Sequence, residues 1–417
     1  MHLRHLAAFL GLALPLAAGC RSDEALNAPD LSNNGGLLQR YVSMGNSITA
    51  GFQSAGINDS TQLQSYAVLF AAQAKAPFFE PLLNKAGCPP PFVNNVTQTR
   101  VPELNGTPTT SGTCDLRTGT PLPYVSNVAV PGVTAFGVDN IPSPDANPLT
   151  QFILGGRTQV KAMMDAQPTF VSVWIGNNDV LGSLTNLAGP QGPGNPALVT
   201  SEADFEASYG PMLDSIQKTG AKAVLIGVED VTAIPYASLG AIYWCLKNAG
   251  CPAPLPPQNP LIASSTFTVA NNCAPNAIGT TTLIPWTVGV VRLLQSLQGA
   301  PGLGVDCSID TDVITGAEVA GLSAAVAGFN AYIQAQAQQR GWAYLDINPT
   351  LLDLRGKGFI PGFPDITQVS AGKPVTFGQY FSLDGVHPSA AAHRVIADSL
   401  ISTVNQKYGT TIPFAGP

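Results

Sequence analysis

Residues 37–51 read Leu37-Leu38-Gln39-Arg40-Tyr41-Val42-Ser43-Met44-Gly45-Asn46-Ser47-Ile48-Thr49-Ala50-Gly51. The stretch Leu37 to Met44 is short and apolar on both parities, as a strand covered on both faces must be. A glycine and a serine then mark a tight turn. The same pattern returns at Tyr124 to Val130, Thr169 to Ile175, Ala221 to Val228 and Trp342 to Ile347. Helix-forming stretches separate these strands: Gln62 to Ala74, Gln159 to Ala166, Ala203 to Thr219, Thr315 to Arg340 and Ser389 to Gln406. Alternation of this kind predicts right-handed crossovers and an α/β fold. The expected architecture is a three-layer α/β/α sandwich around a parallel, flavodoxin-like sheet of about five strands. Ligands then collect at the carboxyl ends of the strands.

Four strand or loop ends carry side chains with chemical use. The first is Gly45-Asn46-Ser47, which sets a hydroxyl on a turn. The second is Val130-Pro131-Gly132, where Gly132 can offer a backbone N–H. The third is Ile175-Gly176-Asn177-Asn178-Asp179, with amide donors suited to a developing oxyanion; Asn178 and Asp179 also suit a helix N-cap. The fourth is Asp384-Gly385-Val386-His387-Pro388, ahead of a helical pattern in which Pro388 fits the first turn. There, one loop supplies an imidazole and a carboxylate to orient it. The chain has four histidines, and His2 and His5 fall within residues 1–19, whose basic start and apolar run have the form of a secretory leader. Only His387 and His393 remain, so a histidine base is nearly fixed in advance. His393 falls inside the helical pattern and reads as a packing or surface residue.

Taken in order, these segments resemble the SGNH hydrolases, also called the GDSL esterase/lipase family. Its blocks centre on a serine, a glycine, an asparagine and a histidine, here Ser47, Gly132, Asn178 and His387. The resemblance runs from Tyr41 to about Ser399. It implies that Ser47 is the nucleophile, His387 the general base and Asp384 the group that orients it. It also implies an oxyanion hole made by the N–H groups of Ser47 and Gly132 and the amide of Asn178. Such a mechanism calls for no cofactor and no metal. One position departs from the pattern: the first block usually reads Gly-Asp-Ser, and this chain has Asn46. The implied substrates are small-molecule or lipid esters. A carbohydrate O-acetylesterase and a non-catalytic surface lipoprotein that binds glycans or partners remain open as alternatives. The segment Phe359 to Pro364, with Phe377, Tyr380 and Phe381, suggests an acyl-binding wall or lid, or else simple packing of an insertion.

Residues 1–19 have a basic start, an apolar run and a small-residue end, the form of a secretory signal. Cys20 follows Leu16-Ala17-Ala18-Gly19 and resembles the acylated cysteine of a bacterial lipobox. Residues 20–36 then read as a lipidated tether, which predicts a cell-envelope protein held to the membrane, on the outer membrane. Removing residues 1–19 deletes Arg4 and takes the formal charge from −7 to −8. No basic run supports nucleic-acid binding. Residues 37–417 read as a single, monomeric domain. Charged residues make up 11% of the chain, against 42 glycines and 36 prolines, so long loops are expected. They fall near 80–123, 183–201, 232–287 and 355–382.

Of seven cysteines, removing Cys20 leaves an even set suited to disulfides in an oxidising compartment. Cys88 and Cys114 bracket one Pro/Thr/Asn-rich segment and are expected to pair. The remaining four allow three pairings, and the one chosen joins Cys245 to Cys251 and Cys273 to Cys307. A zinc site is disfavoured, because no Cys-x-x-Cys occurs and histidines are few.

Overall fold

The computed structural model describes residues 36–83, 86–102, 106, 122–139, 149, 153–187 and 191–416. Cys20, the leader, most of the tether and Cys114 lie outside the described residues. Four strands form the central sheet: β1 (Tyr41–Gly45), β2 (Phe170–Trp174), β3 (Lys222–Ile226) and β4 (Ala343–Leu345). They lie side by side in that order and all run parallel. Tyr41 sits opposite Phe170, Phe170 opposite Lys222, and Val224 opposite Ala343.

The expected fifth strand, Tyr124 to Val130, is reduced to a bridge between Ser43 and Asn127 on the free side of β1. Ser43 N donates to Ser126 O (2.8 Å) and Val128 N to Ser43 O (2.9 Å). The ladder is interrupted because Gly45 N donates to Gln159 Oε1 (3.1 Å) instead of to the neighbouring segment, although Val130 N still donates to Gly45 O (3.2 Å). The segment still fixes a neighbour on each side of β1. The chain reverses its direction of travel across the sheet there, so the carboxyl end of β1 is the crevice of the fold.

Alternate side chains on each strand go to opposite faces. Tyr41, Phe170, Trp174, Val224 and Ile226 pack under helices Tyr66–Gln73 and Ala390–Tyr408. Val42, Met44, Val171, Val173, Ala223 and Leu225 pack on the other face with helices Gln159–Ala166, Glu202–Lys218 and Gly316–Gln339. These helices start where small polar residues cap them. Thr315 forms a capping box with Glu318, and Ser201 and Ser389 each accept one orphan N–H.

The helix expected over Gln62 to Ala74 is split into Asp59–Gln62 and Tyr66–Gln73. Ser65 makes the break: its Oγ donates to Thr49 O (2.8 Å) and accepts from Ala67 N (3.1 Å). The 232–287 insertion is more ordered than its composition suggested. Ala237–Leu239 pairs antiparallel with Leu283–Pro285, and helices Gly240–Lys247 and Trp286–Leu297 follow these strands. Disulfides join Cys245 to Cys251 and Cys273 to Cys307, the expected pairing. Cys88 is also disulfide-bonded.

Candidate functional site

β1 ends at Gly45, and Ser47 opens a one-turn helix, Ser47–Ala50. Asn46 caps that turn, its Oδ1 accepting from Ile48 N (3.3 Å). Ser47 Oγ lies 2.9 Å from His387 Nε2, and His387 Nδ1 lies 2.8 Å from Asp384 Oδ2. A serine, an imidazole and a carboxylate thus form one hydrogen-bonded line across 340 residues of sequence. The Phe52 ring sits 4.8 Å from the imidazole, between centroids, and walls one side.

The Asp384 turn is built to hold a carboxylate. Oδ1 accepts from Val386 N and His387 N (both 2.8 Å), and Oδ2 also accepts from Ala55 N (2.7 Å). Burial would raise this carboxyl, but the His387 imidazole and the N–H donors hold it at about 2. Gly385 makes the turn possible. Its φ is +73°, and a Cβ there would meet the Phe377 ring at 2.8 Å.

Gly132 occupies the corner of a turn closed by Val133 N donating to Val130 O (3.3 Å), with φ at +82°. Asn178 begins helix Asn178–Thr185 and its Nδ2 donates to Val133 O (2.8 Å). An amide carries two N–H groups, so one remains for a ligand oxygen. Asp179 Oδ2 accepts from Ala135 N (2.9 Å), and its Oδ1 accepts from Thr200 Oγ1 (2.9 Å). Burial pushes the Asp179 carboxyl up to about 6 despite these donors. The N-cap role expected for Asn178 or Asp179 is overturned: Asn177 holds the cap position, without a side-chain cap. Both candidate residues reach across to the Gly132 turn instead, because that turn leaves Val133 O and Ala135 N without backbone partners.

A cavity of about 390 Å³ opens beside His387 and Asp384. Its walls are mainly apolar and include Phe52, Phe92, Leu181, Tyr236, Trp286 and Val386. Phe92 comes from the 80–123 insertion, while Tyr236 and Trp286 come from 232–287. Trp286 Nε1 also donates to Asp384 O (3.3 Å). The expected wall at Phe359 to Pro364, Phe377, Tyr380 and Phe381 is not part of this cavity. Phe363 packs on Tyr243, Phe359 on Tyr380, and Phe377 behind Trp286. Phe377 and Phe381 are buried and pack the insertion against the core, while Phe359 stays exposed; none of these rings lines the cavity beside the serine.

Sequence reasoning also missed Glu229, a buried carboxyl three residues past β3. Burial pushes it up to about 7, partly offset by the His387 imidazole and the Asn177 amide. The rule that sites gather at the carboxyl ends of strands would have found it in Ile226-Gly227-Val228-Glu229. Among the described residues no group of three or more His, Cys, Asp or Glu side chains is placed to hold a metal.

The chain belongs to the GDSL-like lipase/acylhydrolase family, whose model matches residues 41–400. The protein is accordingly a carboxylic ester hydrolase acting on small-molecule esters. Similar solved structures include TesA, at 14% identity and TM-score 0.34, covering 88% of this chain and 99% of that one. The acetyl xylan esterase AlAXEase is 12% identical with TM-score 0.35, covering 87% and 99%. An acetylxylan esterase from Geobacillus stearothermophilus is 10% identical with TM-score 0.35, covering 88% and 94%. No curated protein matches the chain.

Proposed function

We propose that the protein is an envelope-anchored serine esterase that cleaves esters with an apolar acyl group. The carrying observation is the hydrogen-bonded line from Ser47 through His387 to Asp384. Ser47 Oγ attacks the ester carbonyl as His387 Nε2 takes its proton. Collapse of the tetrahedral intermediate re-forms the carbonyl and breaks the bond from the acyl carbon to the alkoxy oxygen, and His387 returns the proton to the leaving alcohol. Water then repeats the sequence on the acyl-serine and frees the acid. Asp384, ionised through the working pH range, orients the imidazole and stabilises its cationic form.

The developing oxyanion is taken by the N–H groups of Ser47 and Gly132 and the second N–H of Asn178. Asn178 and Asp179 hold the Gly132 turn, so donor and scaffold come from one segment. The surface that the cavity exposes is mostly apolar, which favours an acyl chain, and Gln98, Thr185 and Thr287 are among its polar members. The leader and Cys20 support attachment by an N-terminal lipid, on the outer membrane.

A fluorophosphonate probe should label Ser47 in wild type and not in Ser47→Ala. Folded wild type that resists the probe would favour the binding-protein reading. Across p-nitrophenyl esters of increasing length, kcat/KM should rise beyond acetate; an acetate optimum would remove the acyl-cavity assignment. Mass spectrometry of the mature N-terminus should find an acylated Cys20, and an unmodified terminus elsewhere would refute the anchor.

A further inference from the structure

Behind the serine turn lies a chain of polar side chains that the reaction as written does not use. Asn46 Oδ1 takes the Ile48 N–H, and Asn46 Nδ2 donates to Asn177 Oδ1 (3.3 Å). Asn46 and Asn177 are both buried. Asn177 Nδ2, sealed from solvent, meets no partner in hydrogen-bond geometry among the described residues. The acceptor beside it is the buried Glu229 carboxylate, whose charged form the Asn177 amide favours. Glu229 also borders a small cavity of about 40 Å³ with Trp174, Tyr380, Pro388 and Ala392, whose lining is otherwise almost wholly apolar. The charged and titratable neighbours that act on Glu229 are His387 and Asp230.

We infer that Glu229 is a positioning residue: a carboxylate that can only accept, it sets the direction of an amide relay through Asn177 and Asn46 to the Ser47 turn. An ionised carboxylate has no donor. It therefore selects the Asn177 orientation with its NH₂ toward Glu229 and its Oδ1 toward Asn46. Asn46 must then donate with Nδ2, which leaves its Oδ1 for Ile48 N. Position 46 has to donate on one side and accept on the other, and asparagine does both where aspartate cannot. The relay thus gives a physical reason for Asn46 beside the serine.

The inference rests on the serine-esterase reading, and a mutant cycle separates the two. In Asn46→Asp, a carboxylate meets Asn177 Oδ1, acceptor against acceptor. Turning the Asn177 amide over relieves that contact but sets its Oδ1 against Glu229. In Glu229→Gln the turned amide finds a donor. Asn46→Asp alone should lose ~10–100-fold in kcat. Glu229→Gln alone, whose Oε1 still accepts from Asn177, should stay within a few-fold of wild type, and the N46D/E229Q double variant should recover most of the Asn46→Asp loss. The assay uses p-nitrophenyl butyrate at about pH 8.5, where a carboxyl with a pKa of about 7 is ionised. Melting temperature is followed in parallel, so a poorly folding single variant still reports through rescue of stability. A double variant no better than Asn46→Asp in both measurements overturns the relay, as does a fully active Asn46→Asp single. Wild type that is inactive and unlabelled by the serine probe would instead refute the esterase reading.

Discussion

His387 and His393 lie six positions apart in sequence and in opposite surroundings. His387 sits on a glycine-bent turn at the rim of a cavity, with Ser47 on one nitrogen and Asp384 on the other. His393 sits in the first turns of helix Ala390–Tyr408, fully buried, its Nδ1 accepting from Tyr66 N (3.2 Å). Burial drives its pKa down to about 3, so it is neutral in the folded protein. Residue type therefore does not select the base. The backbone element does: a turn with φ of +73° at Gly385 projects one imidazole to the serine, while a helix faces the other into the core.

The largest effect should come from exchanging the two. His387→Ala should cost on the order of 10⁶ in kcat with little change in melting temperature. His393→Ala should keep kcat within a few-fold but lose about 2–4 kcal/mol of stability, from the cavity and the orphaned Tyr66 N–H. A His393→Ala protein of normal stability and no activity would break the contrast. Next in size, Asp384→Asn should lower kcat by ~10³–10⁴, because the amide can orient the wrong tautomer. Asn178→Ala should cost ~10²–10³, mostly in kcat, as expected of a donor that acts on the transition state. Should KM rise instead with kcat unchanged, Asn178 would be a ground-state contact.

Titration sharpens the comparison further. His393, at about 3 in the fold against an ordinary 6.5, contributes stability in full above pH 6.5 and loses it as pH falls toward 3. Asp384, at about 2 against 3.8, behaves likewise but only below pH 3.8. Asp179 and Glu229 run the other way. Their raised values, about 6 and 7, mean stability is lost as pH rises through 3.8–6 and 4.5–7. In wild type these slopes oppose one another between about pH 4.5 and 6. Denaturant unfolding of His393→Ala should expose the carboxyl slope, with stability falling as pH rises over that range. A slope unchanged from wild type would mean that His393 titrates normally. The smallest effect concerns Trp286. Replacing it with alanine should widen the cavity and shift the preferred acyl length upward, changing kcat/KM ratios by ~3–10-fold. It should also loosen Asp384 O and lower kcat for every ester.

Much of this was legible in the chain. Strand and helix positions followed from local periodicity, since the neighbours that cover a strand leave their mark on its own residues. The departures arose where a side chain competed with backbone pairing. Gln159 takes the Gly45 N–H that the fifth strand needed, and Ser65 splits a helix by binding the Ala67 N–H. The aromatic run near Phe359 misled because aromatic content is the same for a cavity wall and for packing; only the partners differ.

By itself, then, the sequence determined the alternation of elements, the ordered placement of Ser47, Gly132, Asn178 and His387 at strand and loop ends, and the scarcity that left two histidines, His387 and His393, for the base. Tertiary structure alone decided which loops wall the cavity, that Asn178 and Asp179 clamp the Gly132 turn, and that Glu229 stands behind Asn177. The reason is range. Periodicity and caps encode contacts a few residues apart, whereas Ser47 and His387 are 340 residues apart and meet only when the sheet aligns the ends of its strands.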